Sequence, residues 1–207
     1  FHIKDYNLFP TYVWETQITG VDNESILSYI YDKENQDPAG VRRSNIGGWH
    51  SHPYEVGDIP PDSFKELLHD CTEFVNDYCG KYTGVNDLVI GNYWFITNKK
   101  YDYNNQHHHL GSFLSCAYYV KAPKDSGRIV LMRDDHGEYY FGNRSGTSEY
   151  TSLAHTFEPR ESTFLVFPSW LLHSVEQNLS DEDRVVLSIN FCLPPSTKPR
   201  EEKVGKR

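Results

Sequence analysis

The sequence predicts a mainly β (α+β) fold, a jelly roll with N-terminal helices packed on one of its sheets. From Leu88 onward, short runs rich in Val, Ile, Tyr, Phe and Trp recur between Gly, Pro, Asn and Asp, which is the pattern of short strands and turns. Before that point, apolar residues recur at spacings of three and four, as in amphipathic helices. A chain of 207 residues is long enough for one well-cored domain. We predict that this domain spans residues 1–193, with a helical part at about 20–80 and a β core at about 88–193.

Two helices are predicted in the first third of the chain. Asp22 or Asn23 can cap a helix through Tyr31, because their short side chains accept hydrogen bonds from the first helical N–H groups. A longer helix is predicted over residues 60–78, with Gly80 as its stop. The strands are predicted at residues 88–97, 112–121, 127–133, 138–141, 150–157, 162–167, 170–176 and 184–192. That number of short strands suits the jelly roll.

Charge and composition exclude several classes of function. The formal net charge of −9 makes nucleic acid and anionic membranes poor partners. No apolar run approaches the length of a membrane span, and the first residues do not show a basic segment followed by an apolar one, so we expect neither a membrane helix nor a secretory signal. The four cysteines have no CxxC spacing, which favours free thiols and a reducing, cytoplasmic location. The charged, proline-containing residues 194–207 are predicted to be a disordered tail. The oligomeric state is not predicted.

The run His107-His108-His109 carries the strongest chemical signal. Residues i and i+2 of a strand point to the same side, so His107 and His109 can converge on one metal ion while His108 faces away. Neutral imidazole is a ligand for iron, copper, zinc and nickel. A solvated loop is the alternative interpretation of such a run. His173, at the end of an apolar and aromatic segment, is a candidate third ligand, although a single buried histidine can also be an ordinary core residue.

Arg184 opens an apolar strand and needs either a buried anionic partner or an exit to solvent, because an unpaired buried charge is costly. Its planar guanidinium matches a carboxylate through two hydrogen bonds. The sequence therefore predicts a metal site with an anchor for an acidic ligand.

Together these motifs resemble the iron- and 2-oxoglutarate-dependent dioxygenase superfamily, in particular its prolyl-hydroxylase-like branch and a family of microbial and phage proteins within it. The resemblance covers roughly residues 40–192 and implies a double-stranded β-helix. The motifs that carry it are Ser44-Asn45-Ile46-Gly47-Gly48-Trp49, the HxH at His107 and His109, Ser115-Cys116-Ala117-Tyr118-Tyr119-Val120, Phe167-Pro168-Ser169-Trp170-Leu171-Leu172-His173-Ser174-Val175, and Arg184 followed by Ser188.

The resemblance implies that His107 and His173 bind Fe(II), and that Arg184, Ser188 and Tyr119 bind the distal carboxylate of 2-oxoglutarate. The usual third ligand in such centres is a carboxylate, and this chain has His109 at that position. His109 can ligate the metal and give a three-histidine centre, which its spacing favours. Alternatively, it only lines the site, or an oxygen ligand comes from elsewhere. The candidates for that oxygen are Asp102, Asp134 and Asp135.

The implied activity is hydroxylation of an unactivated C–H bond with O2 as co-substrate and release of succinate and CO2. No catalytic residue beyond the metal centre is predicted, and an apolar wall is expected from Phe113, Leu165 and Leu187. The predicted substrate is either a peptidyl group, for which the resemblance suggests prolyl, or a small molecule. Two alternatives remain open: a cupin-like three-histidine dioxygenase that does not use 2-oxoglutarate, and a non-catalytic β-sandwich module that binds zinc.

A second HxH motif, His50-Ser51-His52, lies between Trp49 and Pro53. It offers either a second metal site or part of a loop that faces the substrate. No further ligand follows it at a suggestive distance, so we assign it no metal.

Overall fold

The computed structural model describes residues 2–55, 62–133 and 135–195. Two antiparallel sheets carry the fold, and the inner sides of both line one large cavity. The strands are β1 (Trp14–Gln17), β2 (Asn45–Ile46), β3 (Trp49–His50), β4 (Tyr54–Glu55), β5 (Val89–Asn98), β6 (Tyr103–His107), β7 (Leu114–Lys121), β8 (Ile129–Met132), β9 (Ala154–Phe157), β10 (Thr163–Pro168), β11 (His173–Val175) and β12 (Arg184–Cys192). The predicted mainly β, jelly-roll architecture is confirmed.

The larger sheet has the strand order β1-β10-β7-β12-β5-β3, with β4 also pairing with β5. The smaller sheet has the order β2-β6-β11-β8-β9. Neighbours in both sheets are far apart in sequence: β12 pairs with β5 on one side and with β7 on the other. Residues that are distant in the chain are therefore brought face to face across the cavity.

The N-terminal helices cover the outer side of the larger sheet, as predicted. Helix α1 (Asn23–Gln36) begins after Asp22, whose side chain accepts a 3.1 Å hydrogen bond from the Ser25 N–H. It ends later than the predicted Tyr31. Its buried Ile26 and Ile30 join a core with Val185, Leu187, Ile189 and Phe191 of β12. Burial of these apolar groups is the main stabilising term that fixes the helix on the sheet.

The second helix runs past its predicted end. Helix α2 (Asp62–Glu73) continues as a π-helical turn, Phe74–Cys79, and then as helix α3 (Gly80–Thr83). The predicted stop at Gly80 is wrong, because Gly80 is helical and buried, and the chain leaves the helix at Gly84 instead. The predicted start of this helix at residues 60–61 lies outside the described residues.

Three predicted strands are wrong in kind or length, and one of them, 170–176, shortens to the three residues of β11. Residues 138–141 form a short helix, α4 (Glu138–Phe141), between two glycines, and its Tyr139 and Tyr140 are exposed. The predicted strand 150–157 shortens to β9, because residues 149–151 form a 3₁₀ turn. Aromatic residues raised the predicted strand propensity of segments 138–141 and 150–157. Tyr139, Tyr140 and Tyr150 are instead exposed to solvent.

Strands β1 to β4 and β6 were not predicted. The first four have at most four residues each, and β6 reads Tyr-Asn-Asn-Gln-His, which has low strand propensity. Cross-strand pairing with β11 and β2 holds β6 in place despite its composition. Tertiary pairing has therefore overridden the low local strand propensity of β6, the strand that ends at His107.

The Ser44–Trp49 motif crosses from one sheet to the other. Its first half, β2, pairs with β6 of the smaller sheet, and its second half, β3, pairs with β5 of the larger one. Gly47 and Gly48 connect them with φ angles of 66° and 61°, a region that favours glycine. A side chain at Gly47 would overlap the Asp102 carboxylate, so both backbone angle and space demand glycine there.

Among the described helices, none combines the length and the apolar character that a membrane crossing requires.

Candidate active site

Three imidazoles converge in the cavity, beside strands β6 and β11 of the smaller sheet. His107 ends β6, and His173 begins β11 directly opposite it in register. His109 lies two residues beyond the end of β6. The ring centroids are 4.2 Å apart for His107 and His173, 5.2 Å for His107 and His109, and 5.0 Å for His109 and His173. One ligand atom from each lies within 4.8 Å of the others, which is a spacing that can hold a metal ion.

The predicted convergence of His107 and His109 is therefore present, but its geometric reason differs. His109 is outside the strand, and its backbone N–H donates to the Ser169 carbonyl oxygen at 2.9 Å. His108 is exposed and stays outside the cluster, as predicted.

Each imidazole of the cluster is hydrogen-bonded through Nδ1. In both His107 and His173, Nδ1 donates to the backbone carbonyl oxygen two residues earlier in the chain, at 2.8 Å. In His109, Nδ1 donates to Oδ1 of Asn190 at 2.7 Å. A neutral imidazole that donates through Nδ1 has its lone pair on Nε2. All three rings thus offer Nε2, and three neutral nitrogen donors suit a divalent first-row metal such as Fe(II).

Burial keeps these imidazoles neutral. Desolvation lowers the pKa of His173 to about 3 and that of His109 to about 4, and it also lowers the pKa of His107. Neutral imidazole is the form that binds metal, so the cluster needs no deprotonation near pH 7.

The alternative oxygen ligands lie elsewhere. Asp102 uses Oδ2 to accept the Lys99 N–H at 2.8 Å and does not line the cavity. Asp135 is exposed and forms an ion pair with Arg133. The interpretation that either of them supplies the third ligand is wrong, and Asp134 lies outside the described residues.

Arg184 lines the same cavity and is buried, with only 1% of its surface exposed. Its Nη1 donates to the carbonyl oxygens of Ser126 and Gly127, and its Nη2 donates to Oδ1 of Asn98 at 2.8 Å. Burial lowers the pKa of Arg184 only to about 10, so the guanidinium remains charged at neutral pH.

No carboxylate of the described residues forms an ion pair with this guanidinium, and no acceptor among them is bonded to its Nε. The edge formed by Nε and the second Nη2 hydrogen is left for a ligand. A buried cation that is satisfied only by neutral carbonyls favours an anion at that edge.

Strand β12 connects this cation to the histidine cluster. Arg184, Val186, Ser188 and Asn190 line the cavity, since alternate residues of a strand share a face. Tyr119 of β7 lines the same wall, and burial raises its pKa to about 12, so it is a neutral hydroxyl. The structure thus brings the predicted Arg184, Tyr119 and Ser188 to one wall of one cavity.

The predicted apolar wall is wrong in its residues. Leu187 faces the helices, because it alternates with the cavity-facing residues of β12, and Phe113 packs against the same core. Leu165 belongs to a separate apolar cluster and does not reach the cavity. The apolar lining comes instead from Ile96, Ala117, Ile129, Phe167, Val175 and Val186.

The cavity, of about 580 Å³, contrasts with the acidic chain around it. Its lining contains two arginines, five histidines and several side-chain amides, but no Asp or Glu from the described residues. With a divalent metal on three neutral ligands, the site keeps a larger positive charge than a site with a carboxylate ligand would.

His50 of β3 also lines this cavity, although no role at the metal centre was predicted for it. His50 is buried, stacks on Trp94 with 5.7 Å between ring centroids and 6° between ring planes, and Trp94 meets His109 edge-on at 5.4 Å. The signal that could have found it is the second HxH motif beside the Gly-Gly-Trp element. His52 is exposed and lies 3.6 Å from Asp37, so the two histidines do not share a metal site.

About half of the chain matches a known protein family. Residues 92–190 match a protein-family model described as "Putative 2OG-Fe(II) oxygenase". No curated protein gives a significant sequence match.

Solved structures match over most of the chain. A prolyl-4-hydroxylase from Pseudomonas putida superposes with a TM-score of 0.63 and 14% identity, covering 88% of this chain and 92% of that one. The viral collagen prolyl hydroxylase of Paramecium bursaria Chlorella virus-1, in its 2-oxoglutarate complex, gives 0.58 and 12%, covering 88% and 97%. The alpha-ketoglutarate-dependent carbocyclase SnoK from nogalamycin biosynthesis gives 0.61 and 9%, covering 86% and 78%. These matches establish a shared double-stranded β-helix.

Proposed function

We propose that this chain is a 2OG-Fe(II) oxygenase, as its family match over residues 92–190 supports, with iron held by His107, His109 and His173 and 2-oxoglutarate held by Arg184. The superfamily supplies the activity class, an oxygenase that uses Fe(II), 2-oxoglutarate and O2. One observation carries the residue assignment: a buried arginine that pairs with no carboxylate of the described residues shares a cavity with three neutral imidazoles that all offer Nε2.

Bound iron and 2-oxoglutarate together supply the oxidation: O2, 2-oxoglutarate and a substrate C–H bond become succinate, CO2 and a C–OH group. The residues of the chain position and enclose these partners. The free edge of Arg184 would donate two hydrogen bonds to the distal carboxylate, and the hydroxyls of Tyr119 and Ser188, which line the same cavity, would help to hold it. Apolar residues, among them Ile96 and Val186, keep water from the reacting atoms.

The substituted ligand changes the charge of the centre. His109 is neutral where the usual triad has a carboxylate, so the loaded site is one unit more positive. The absence of Asp and Glu from the described lining works in the same direction. Both features favour firm binding of the doubly charged 2-oxoglutarate.

For the substrate we propose a peptidyl group, prolyl in the first instance, entering where Arg43, Pro53 and Leu110 surround the mouth of the cavity. The likeness to prolyl hydroxylase structures supports this choice. A small molecule is the second candidate, supported by the likeness to the carbocyclase SnoK and by the size of the cavity. All four cysteines are free, which fits the proposed cytoplasmic location in a microbe or in a phage-infected cell.

Anaerobic spectroscopy tests the proposal directly. Fe(II) and 2-oxoglutarate together should produce a weak visible charge-transfer band that neither produces alone, and the band should be lost in Arg184→Ala. Release of succinate under air should follow the same pattern. Tightly bound zinc with no response to 2-oxoglutarate would support the zinc-module alternative instead. Turnover that is unchanged in Arg184→Ala would support the cupin-like one.

A further inference from the structure

His109 is held differently from the other two histidines. His107 and His173 are oriented by their own backbone, through the carbonyl two residues earlier. The Nδ1 of His109 instead meets side chains of the larger sheet: Oδ1 of Asn190 at 2.7 Å and Oγ of Ser115 at 2.8 Å. The orientation of this ring therefore depends on which groups those side chains present to it.

The amide of Asn190 is itself oriented by a second amide. Its Nδ2 donates to Oδ1 of Asn92 at 3.0 Å, and this turns its Oδ1 toward His109. Ser115 donates to the same Oδ1 at 2.8 Å, and its Oγ also lies 2.8 Å from that of Ser169. An amide oxygen only accepts, so His109 must donate through Nδ1, which leaves its lone pair on Nε2.

The serine side of this network is removed from solvent, while Asn92 and Asn190 also line the cavity. Ser115 and Ser169 are almost completely buried, and Asn190 is 7% exposed. In a site of low polarity, the Nε2–H tautomer would bring two acceptors, Nδ1 of His109 and Oδ1 of Asn190, face to face.

We propose that Asn190, oriented by Asn92 and Ser115, is the positioning residue that makes His109 a metal ligand by fixing its Nδ1–H tautomer. The proposal rests on the three-histidine centre of the proposed function. It assigns His109 a support of its own, in which a neutral amide on the larger sheet does the work that the backbone does for the other two ligands. Groups of this kind behind a ligand typically change metal affinity by about 10–100-fold.

The first test reads the tautomer without any metal. Long-range ¹H–¹⁵N NMR of the metal-free protein, labelled at histidine, should show His109 protonated at Nδ1. In Asn190→Ala the His109 signal should shift toward the Nε2–H form or a mixture. Asn190→Asp keeps an acceptor oxygen and should restore the Nδ1–H form, with Asn92 turning its amide to donate.

The second test measures affinity for Co(II) and Fe(II) by titration. Asn190→Ala should weaken binding by about 10–100-fold, Asn92→Ala should weaken it less, and Asn190→Asp should keep it or strengthen it. Asn104→Ala is the matched control, because Asn104 is a buried amide of the same cavity that bonds to Ser44 and to none of the imidazoles. In the NMR test, Asn104→Ala should leave the His109 signal unchanged.

The possible results distinguish failure of the Asn190 positioning role from failure of the three-histidine centre. An unchanged His109 tautomer and unchanged metal affinity in Asn190→Ala would overturn the positioning role, as would Nε2–H in the wild type. Full metal affinity in His109→Ala would overturn the three-histidine centre itself. If Asn190→Ala does not fold, Asn92→Ala and Ser115→Ala disturb the same network from positions that do not leave His109 without its acceptor, and the same two readings decide.

Discussion

The two sheets of this molecule differ in how they are supported and in what they hold. The larger sheet is covered by helices, and on β7 and β12 almost every residue is buried. The smaller sheet carries β9, which is largely exposed, and β6, in which only Asn104 is buried. Yet the smaller sheet supplies His107 and His173, and the larger one supplies Arg184 and the amide behind His109.

This difference teaches how the site combines two demands. A charged group such as Arg184 can be buried only where fixed carbonyls and amides replace water, and here Asn98 of β5 and the carbonyls of Ser126 and Gly127 in the loop before β8 provide them. The imidazoles are neutral, so the more exposed smaller sheet can hold His107 and His173, whose rings are oriented by backbone carbonyls. His109 lies between the two sheets in this respect. It follows a strand of the smaller sheet but is oriented by the larger.

The largest expected effect separates ligands from neighbours on the smaller sheet. His173→Ala should weaken Fe(II) or Co(II) binding by more than the roughly 100-fold that a supporting group can cause, because a coordinating nitrogen is removed. His108→Ala, next to the ligands but exposed, should change affinity little. Metal titration of both variants checks this expectation. Equal losses would mean that the cluster does not bind through His173.

On the larger sheet, Arg184→Met should weaken 2-oxoglutarate binding by roughly 30-fold or more, which corresponds to the about 2–5 kcal/mol lost when one partner of a buried charge pair is removed. Arg128→Met is the matched control, because Arg128 is partly exposed and its partner is Glu176. Calorimetric titration of 2-oxoglutarate into the metal-loaded protein measures both. A control that weakens binding as much as Arg184→Met would contradict the assignment.

The contrast in support should appear in stability. Leu187→Ala removes a fully buried side chain from the core under the helices and should lower the free energy of unfolding by about 2–5 kcal/mol. Leu131→Ala, in the small apolar cluster between the sheets, should lower the free energy of unfolding by about 2 kcal/mol, the lower end of the same range. Urea denaturation of the metal-free proteins compares them. Equal losses, or a larger one for Leu131→Ala, would mean that the helices do not make the larger sheet the stronger one.

The smallest effect concerns an ion pair at the rim of the smaller sheet. Hydrogen bonding to Arg128, at 2.8 Å from both carboxylate oxygens, holds the pKa of Glu176 below its ordinary value near 4.5. A lowered folded-state pKa stabilises the protein above the unfolded pKa, and this contribution is lost as the pH falls below about 4.5.

Because Glu176 is partly exposed, Glu176→Gln should cost less than about 1 kcal/mol at pH 7. The wild type and the variant should converge toward pH 3. Thermal unfolding at several pH values shows whether they do. A difference that persists at low pH would assign the effect to packing.

Much of this could be read from the sequence where the signal was local. The cap at Asp22, the strands β7, β10 and β12, and the cluster of His107, His109 and His173 follow from patterning and motif spacing. The reason for the convergence could not be read, because His109 is positioned by Asn190, 81 residues further along the chain.

Other failures have the same physical origin. β6 is a strand only because two other segments pair with it, and the cavity-facing parity of β12 is set by its register against β5 and β7. Leu187 was predicted to face the cavity, but the alternation of β12 turns it to the opposite side, into the core under the helices. Neither the register nor the burial of His50 is encoded in any short stretch of sequence.

The crossing at Gly47 and Gly48 has a consequence for how the protein responds to its ligands. Because β2 holds the strand that ends at His107 and β3 holds the larger sheet, opening this short segment disturbs both sheets at once. Any ligand that binds the closed form alone lowers the population of open molecules by mass action. Amide protons of β2 and β3 should therefore exchange with deuterium more slowly once metal and 2-oxoglutarate are bound, and Ser44, which precedes β2, lies 3.4 Å from Nε2 of His107. Occupancy of the centre is thus readable in the exchange kinetics of a backbone segment that supplies none of the proposed ligands.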